Sequence, residues 1–426
     1  MREMKDSGIE WIGEIPSGWD IGKVGYFFEV QLGKMLQPSQ ENHEDTFEYY
    51  LCAANVGKNT FKPSPLKRMW FNPNEYSVFD VRNGDLLVVE GGDVASCAIV
   101  NIDNPRVFIQ NALHRVRSKD NSDIRILKYW LWNAKGIGHI DLICNKATIA
   151  HFSKEKFISL PYVVIPKLEQ SKIADYLDRK CAEIDAVIDK TKATIEEYKK
   201  LKQSVITEAV TKGIRGERPM KDSGIEWIGE IPAEWTTSYL KYAMRWKSIK
   251  GQPDATVLSL YRDYGVIPKD SRDDNHNVTS LDTTGYKVVS VGDFVINKMK
   301  AWQGSMAVSE YAGIISPAYH ICEITDTTLN KKYLHHLLRN YLYLPEYARL
   351  STGMRIGQWD LGYDDFKNLP FIIPHRKEQD EIVEFIERGL SKYDNLIAKK
   401  TALLDEMESY KKSVIYEYVT GKKEVR

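Results

Sequence analysis

Apolar residues recur at heptad spacing along two stretches of the chain, about 169–212 and 378–421, with charged residues between them. That period predicts long helices, each burying one stripe against a partner. In the first stretch one row reads Leu177, Ile184, Thr191, Tyr198, Val205, and its neighbour Cys181, Ile188, Ile195, Lys202, Ala209. In the second the rows are Ile386, Tyr393, Lys400, Met407, Val414 and Leu390, Ile397, Leu404, Lys411, Tyr418. Each stretch follows an Ile-Pro step, Ile165-Pro166 or Ile373-Pro374, where proline ends a strand ahead of a helix start. A helix of this length extends about 63 Å at ~1.5 Å per residue and alone would leave its stripe wet. The two are therefore expected to pair through Leu177, Ile184, Ile188, Ile195, Tyr198 and Val205 on one and Ile386, Leu390, Tyr393, Ile397, Leu404, Met407 and Val414 on the other. Lys202 and Lys411 hold equivalent seam positions, where they either snorkel or fix register.

Elsewhere the pattern is mixed. Short apolar, β-branched runs (Leu86–Val89, Val288–Val291) adjoin Gly-Asp turns at Gly84-Asp85 and Gly292-Asp293 and predict strands. Helical patterns appear near 124–135 and 329–344.

Self-comparison sets the architecture. Residues 4–16, MKDSGIEWIGEIP, recur without a change at 220–232, followed at the same distance by Trp19 and Trp235. A second repeat runs at an offset of 209 and pairs Leu160-Pro161 with Leu369-Pro370, Glu169-Gln170 with Glu378-Gln379, Asp185 with Asp394, and Ser204-Val205-Ile206 with Ser413-Val414-Ile415. The segments between, roughly 20–160 and 236–369, show little similarity. The expected divisions are 1–167, 168–214, 215–376 and 377–426: domain, helix, domain, helix. A pseudo-two-fold axis between the halves would make the helices antiparallel and bring the termini together; a plain tandem duplication without symmetry is the alternative. Trp11 and Trp227 would staple each domain onto a helix end.

Composition narrows the function less. With 59 basic and 59 acidic residues among 426, the formal charge is zero, which counts mildly against a strong solitary DNA binder. The chain is 43% hydrophobic and 28% charged, as folded domains are. No apolar run approaches the ~18 residues that span a bilayer, and MREMKDSGIEW lacks a secretory core, so a cytoplasmic protein is expected. Five scattered cysteines form no C-x-x-C pair and point to neither disulfides nor zinc. No phosphate loop of the G-x-x-x-x-G-K-[ST] type is present, and neither Ser316–Tyr319 nor Asn72–Tyr76 completes an amino-methyltransferase Asn-Pro-Pro-Tyr loop. Gly84-Asp85 with Glu90 suggests a nuclease carboxylate pair, but Gly92 stands where the lysine belongs.

The paired KDSGIEWIGEIP segments, the Gly-Asp turns, the junctions LPYVVIPKLEQSKIADYLD and LPFIIPHRKEQDEIVEFIE, and residues 297–319 together resemble the specificity subunit of type I restriction-modification systems, over essentially the whole chain. The resemblance implies an α+β chain: two α/β target-recognition domains separated by two long antiparallel coiled-coil helices, in a pseudo-two-fold repeat. It implies no chemistry of its own. Each domain would read one half of a split, asymmetric double-stranded DNA site, and the helices would space the domains and dock two adenine-N6 methyltransferase subunits. Restriction subunits with translocase and nuclease activity would join them; S-adenosylmethionine, ATP and Mg would belong to those partners, with no cofactor in this chain. Domains of ~150 residues have radii of gyration near 15 Å, so two flanking a helix pair would sit roughly 35–45 Å apart, comparable with the ~34 Å of one DNA turn.

For DNA contact the side-chain chemistry favours Lys298, Lys300, Trp302 and Gln303, then Arg355 and Gln358 in a glycine-flanked loop, with Lys146, Thr148 and His151 in the corresponding loop of the first domain and Asn111, His114 and Arg115 as a further set. Each could instead lie in a solvated loop or an internal hydrogen bond. The competing functions are a non-catalytic coiled-coil scaffold that binds proteins, and an enzyme with a cryptic site.

Overall fold

A computed structural model of the chain describes residues 2–57, 60–102, 106–144, 150–262, 264–272, 282–353 and 359–425. It divides into two compact units, Met1–Thr191 with Ala402–Arg426, and Lys192–Thr401.

The first unit is built on a four-stranded antiparallel sheet of β1 (Phe28–Leu32), β2 (Leu86–Val89), β3 (Cys97–Ile99) and β4 (Leu113–Ser118), in the order β1-β4-β2-β3. The uninterrupted run of β2 has a simple cause: both faces are covered. Leu86 and Val88 face a core shared with Phe28, Val30, Val116 and helix α1 (Ile124–Gly136), while Leu87 and Val89 face a second core with Leu51, Ala98 and Leu113. A smaller sheet joins Lys67–Phe71, Thr46–Leu51 and Val107–Ile109 in that order.

The second unit repeats the plan. Strands β5 (Met244–Lys247), β6 (Phe294–Asn297), β7 (Met306–Val308) and β8 (Tyr319–Ile324) form an antiparallel sheet in the order β5-β8-β6-β7. The smaller sheet is here two separate pairs, Leu258–Tyr261 with Gly265–Pro268 and Lys287–Val289 with Gly313–Ile315. The strand expected to run to Val291 thus ends at Val289. The carboxylate of Asp293 accepts from Ser290 N at 2.6 Å and turns the chain, as Asp85 does with Arg82 N at 2.8 Å. The preceding glycines have φ of +88° and +89°, a conformation that favours glycine in this turn. The helix expected over 329–344 is also shorter: α2, the first long helix (Lys167–Lys212), is followed in chain order by α3 (Lys331–Leu338), which stops where Asn340 caps Leu342 N, and Pro345 opens a further turn.

The heptad stretches are continuous helices, α2 and α4 (Arg376–Val419). In the first unit the start of α2 (Ile173, Leu177, Cys181) shares a core with the end of α4 (Val414, Ile415, Tyr418, Val419). In the second, the end of α2 (Ala209, Val210) lies with the start of α4 (Ile382, Val383, Ile386). The helices are therefore antiparallel. Leu177, Ile184, Ile188, Ile195, Ile386 and Val414 are buried. Tyr198, Val205, Leu390, Tyr393, Ile397, Leu404 and Met407 are half-buried, with the Tyr198 and Tyr393 rings 6.4 Å apart. Lys202 Nζ lies 2.6 Å from Asp394, and Lys411 Nζ 2.7 Å from Asp185, so each seam lysine ends on an aspartate of the other helix rather than only reaching solvent.

The repeated flank forms one small hairpin twice, Met4–Asp6 with Glu14–Pro16 and Met220–Asp222 with Glu230–Pro232, in identical register. Beside each, a tryptophan indole donates to the glutamate of a long-helix start: Trp19 to Glu169 at 3.3 Å and Trp235 to Glu378 at 3.0 Å. Arg2 and Arg218 lie over these rings and pair with the same glutamates, Arg2 reaching Glu424 as well at 2.5 Å. The staple onto the helix end is thus Trp19 and Trp235. Trp11 instead stacks on His139 at 4.4 Å and Trp227 meets Tyr343 at 6.3 Å, inside the domains. The next residue of each helix ties it to its domain: Gln170 accepts from Asp123 N and Gln379 from Asn330 N, both at 2.7 Å.

Candidate nucleic-acid interface

In the second unit the β6–β7 connection is a tight turn over residues 298–303, opened by the Asn297 carboxamide accepting from Met299 N and closed by Gly304 at φ +78°. The turn buries Ala301, exposes Lys300 and leaves Lys298 and Gln303 half-buried. Trp302 is held within the turn, its indole donating to Met299 O at 3.2 Å and its ring edge-on to Trp359 at 5.1 Å. Lys298 lies 3.7 Å from Asp360, in the short pair Ser351–Thr352 and Asp360–Leu361 that packs beside the turn. Arg355 and Gln358 lie outside the described residues.

Nearby Lys287 is only 7% exposed, and its ammonium donates to two carbonyls, Tyr319 O at 2.6 Å and Pro317 O at 3.1 Å. Burial, then the charges of Lys298 and Lys250, press its pKa below the ordinary lysine value. Like charges gathered this way are costly alone and are relieved by a polyanion. Neither Lys250 nor Lys287 stands out in the sequence. Their meeting depends on the bridge between them at the edge of the strand pair.

The first unit treats its candidates differently. His114 and Arg115 sit inward on β4 and are not DNA contacts in this fold. His114 is fully buried with Nε2 2.7 Å from Phe152 O, and burial lowers its pKa. Arg115, 3% exposed, holds the carboxylate and the carbonyl of Asp80 at 2.7 Å. The reason is that both faces of β4 are covered: His114 meets Phe152 and Phe157 on one face and Arg115 meets Asp80 on the other. Asn111 is half-buried; its backbone N donates to Lys34 O at 2.8 Å and its side chain accepts from Gln110. His151 is exposed, with Nδ1 3.0 Å from the Glu90 carboxylate. Lys146 and Thr148 lie outside the described residues. Asp85 is bound by Arg117 at 2.6 Å and so forms no nuclease pair with Glu90. Among the described residues no cluster of three metal-ligating side chains occurs, and no helix is long and apolar enough to cross a membrane.

Two antiparallel sheets of one order, joined to two reciprocal helices by one repeated hairpin, limit the relatives such a chain can have. It matches the type I restriction modification DNA specificity domain twice, over residues 16–197 and 250–409. The chain belongs to this family. The specificity subunit of the MjaVIII type I restriction enzyme of Methanocaldococcus jannaschii is 25% identical over 437 aligned residues, covering 97% of this chain and 94% of that one. A solved chain, described under complex assembly and conformational transition of the type I R-M system, superposes with a TM-score of 0.68 at 12% identity, covering 95% of this chain and 98% of that one. The HsdS subunit from Thermoanaerobacter tengcongensis covers 96% and 98% at 15% identity, with a TM-score of 0.49 too low to add to the fold assignment. The protein is a specificity subunit of a type I restriction-modification system, and its variable domains are its DNA-recognition domains. The scaffold that binds only proteins is thereby set aside. Both family segments include a variable domain and part of a long helix, so the lysine-lined turn at 298–303 and the strand β4 fall within DNA-specificity segments.

Proposed function

We propose that this specificity subunit reads a split, asymmetric duplex site, one half with each domain, and carries two adenine-N6 methyltransferase subunits on its helices. The reading rests on one observation: domains of unlike sequence share one sheet order between flanks that are letter-for-letter the same. Such a design lets readout vary while the frame that receives partners stays constant. The subunit then binds and positions; methyl transfer, translocation and cleavage occur on partner methyltransferase and restriction subunits in the cytoplasm, which bring S-adenosylmethionine, ATP and Mg. Lys298, Lys300, Gln303, Arg355 and Gln358 serve the second half-site; Asn111, Lys146, Thr148 and His151 serve the first. Trp302 shapes the turn that presents Lys300.

Equivalent helix positions support two docking places. In the first unit Val187 and Tyr410 are 45% and 46% exposed, close in sequence to the Asp185–Lys411 pair. In the second, Leu201 is 49% exposed and Leu396 half-buried, close to Lys202–Asp394. These apolar side chains lie outside the seam rows, where a soluble helix pair would ordinarily carry charge.

Selection of binding sites from random duplexes, with the subunit alone and with its methyltransferase, tests the reading. Two unlike half-sites at fixed spacing are expected. A folded complex that enriches no motif at moderate salt would overturn it.

A further inference from the structure

Where β1 ends, the first unit presents an apolar tip. Gly33 is buried, and a Cβ there would meet the Gln110 carbonyl oxygen at 2.3 Å, so only glycine fits this close approach. Gly33 N donates to Leu113 O, Lys34 N donates to Ile109 O, and Lys34 O accepts from Asn111 N. Buried Gln37 closes the loop: its carbonyl accepts from Trp70 N at 3.1 Å and its carboxamide donates to Asp45 at 3.0 Å. Between these anchors Met35 and Leu36 are 75% and 51% exposed. Single apolar residues scattered over a surface are ordinary, but here two neighbours are held in water on a backbone pinned at both ends.

The tip lies at the sheet end that corresponds to the lysine turn. Leu32, the last residue of β1, pairs with His114, and Leu113 pairs with Val89, where the β2–β3 connection begins. In the second unit the same sheet end, at Lys247 and Asn297, opens the turn over residues 298–303. There Ile249, just beyond β5, is 55% exposed; its carbonyl accepts from Val288 N at 2.8 Å, and the next residue, Lys250, bridges to Lys287. Each domain thus sets an exposed aliphatic side chain beside residues proposed for DNA contact, Asn111 in one and the lysine cluster in the other. In the first unit Lys34 ends on Glu75 and His151 on Glu90, so these groups are already offset by carboxylates and apolar contact is what the tip offers.

Methionine, leucine and isoleucine are among the side chains that proteins press between stacked base pairs, unstacking the step and kinking the duplex. A wedge needs a backbone that does not give way, which the pinned loop supplies. We infer that Met35 and Leu36 form a wedge that enters a base step of the first half-site, with Ile249 its counterpart at the second. This rests on the split-site reading above, and it makes part of the specificity a reading of how readily a step unstacks.

The test uses the full chain with its methyltransferase and compares wild type, M35S/L36S, M35L/L36M and I249S. It reads site selection, salt-dependent affinity and the fluorescence of 2-aminopurine placed along each half-site, with thermal unfolding to show that each variant is folded. Wild type is expected to brighten the probe at a step in each half-site, besides any base that the methyltransferase flips out. M35S/L36S should abolish that signal in the first half-site and weaken affinity roughly 5- to 30-fold with the salt slope unchanged, and I249S should do the same in the second half only. M35L/L36M, which keeps the apolar bulk, should keep the signal. A wild-type complex that selects a split motif without such a step, or serine variants that keep both signal and affinity, overturns this inference alone. So does a loss of affinity carried by a smaller salt slope, which marks a phosphate contact, or by release of the methyltransferase, which marks a protein-docking surface. A wild type that selects no motif overturns the reading beneath it as well.

Discussion

The two recognition domains share a sheet order and a frame but place their charged residues differently. In the first, the Gly-Asp turn and the middle strand feed a closed network: Asp85 holds Arg117, and Asp80 holds both Arg115 and Arg117. In the second, the equivalent aspartate, Asp293, pairs with Lys247, and the basic residues Lys250, Lys287 and Lys298 gather with, among the described residues, Asp360 as the carboxylate paired to them. The Gly-Asp turn is thus tied by an arginine in one domain and by a lysine in the other, whose remaining lysines gather elsewhere. Arginine on a central strand supports the fold; Lys300 on a tight turn keeps its charge exposed.

The largest expected effect lies at the repeated staple, where the two copies differ in burial. Glu378 is 1% exposed and Arg218 10%, whereas Glu169 and Arg2 are 31% and 25% exposed. Replacing Glu378 with Ala removes the buried carboxylate shared by Arg218 and the Trp235 indole, leaving Arg218 with Glu234 and the Lys212 carbonyl and the indole N–H without its acceptor, and should cost about 3 kcal/mol. E169A should cost about 1 kcal/mol, because solvent already screens that pair. Denaturant titration of the two variants measures the gap; equal losses would mean that the copies are energetically alike.

Next comes the contrast between strand and turn. R115A should lower stability by about 2 kcal/mol by leaving the Asp80 site short of a donor, with DNA affinity unchanged per folded molecule. K300A should do the opposite, weakening binding evenly across sequences and lowering the salt slope by about 1 while leaving the melting temperature in place. Filter binding over a salt series, paired with calorimetry, separates them.

Acid should also separate the units. Burial and the charges of Arg339 and Lys332 hold His335 well below the ordinary 6.5, and His336 falls to about 4, with Lys202 lowering and Glu387 raising it; burial lowers His320 too. These bases are neutral when folded and take up protons more readily when unfolded. Their contribution is thus full above pH 6.5 and lost as pH falls toward 4. In the first unit burial similarly lowers His114 and His139. Amide hydrogen exchange at pH 5 against pH 7 should show the greater loss of protection in the second unit; a uniform loss would contradict the assignment.

Much of this frame is visible in the sequence, because repeats and heptads are local signals. The helix starts fall within two residues of the expected positions, at Lys167 and Arg376, since Pro166 and Pro374 mark them. What the sequence hides is long-range. Whether His114 and Arg115 point to solvent depends on what covers the two faces of β4, Phe152 and Phe157 over one and Asp80 over the other. Trp11 and Trp19 lie eight residues apart in the same flank, yet Trp19 donates to the helix glutamate Glu169 while Trp11 stacks on His139. No pattern in one strand reports its neighbours.

The smallest effect is the most specific. Lys202–Asp394 and Lys411–Asp185 obey the 209-residue offset twice, so each is the other's image under the repeat. Partly exposed pairs of this kind contribute about 0.5 kcal/mol, and K202A or K411A alone should barely move the melting temperature. Register is a different quantity. A shift of one heptad in one direction would set Lys202 against Thr401 and Lys411 against Lys192 and lose both pairs, whereas the other direction would offer Glu387 and Asp178 in their place, so the pairs oppose slippage in one direction only. The double variant D185K/D394K sets like charges against each other at both places and should lower stability by more than twice either alanine variant, while adding K202D and K411D should restore it. Restoration would assign the pairs to register; its failure would leave the lysines as stems that pack and reach outward.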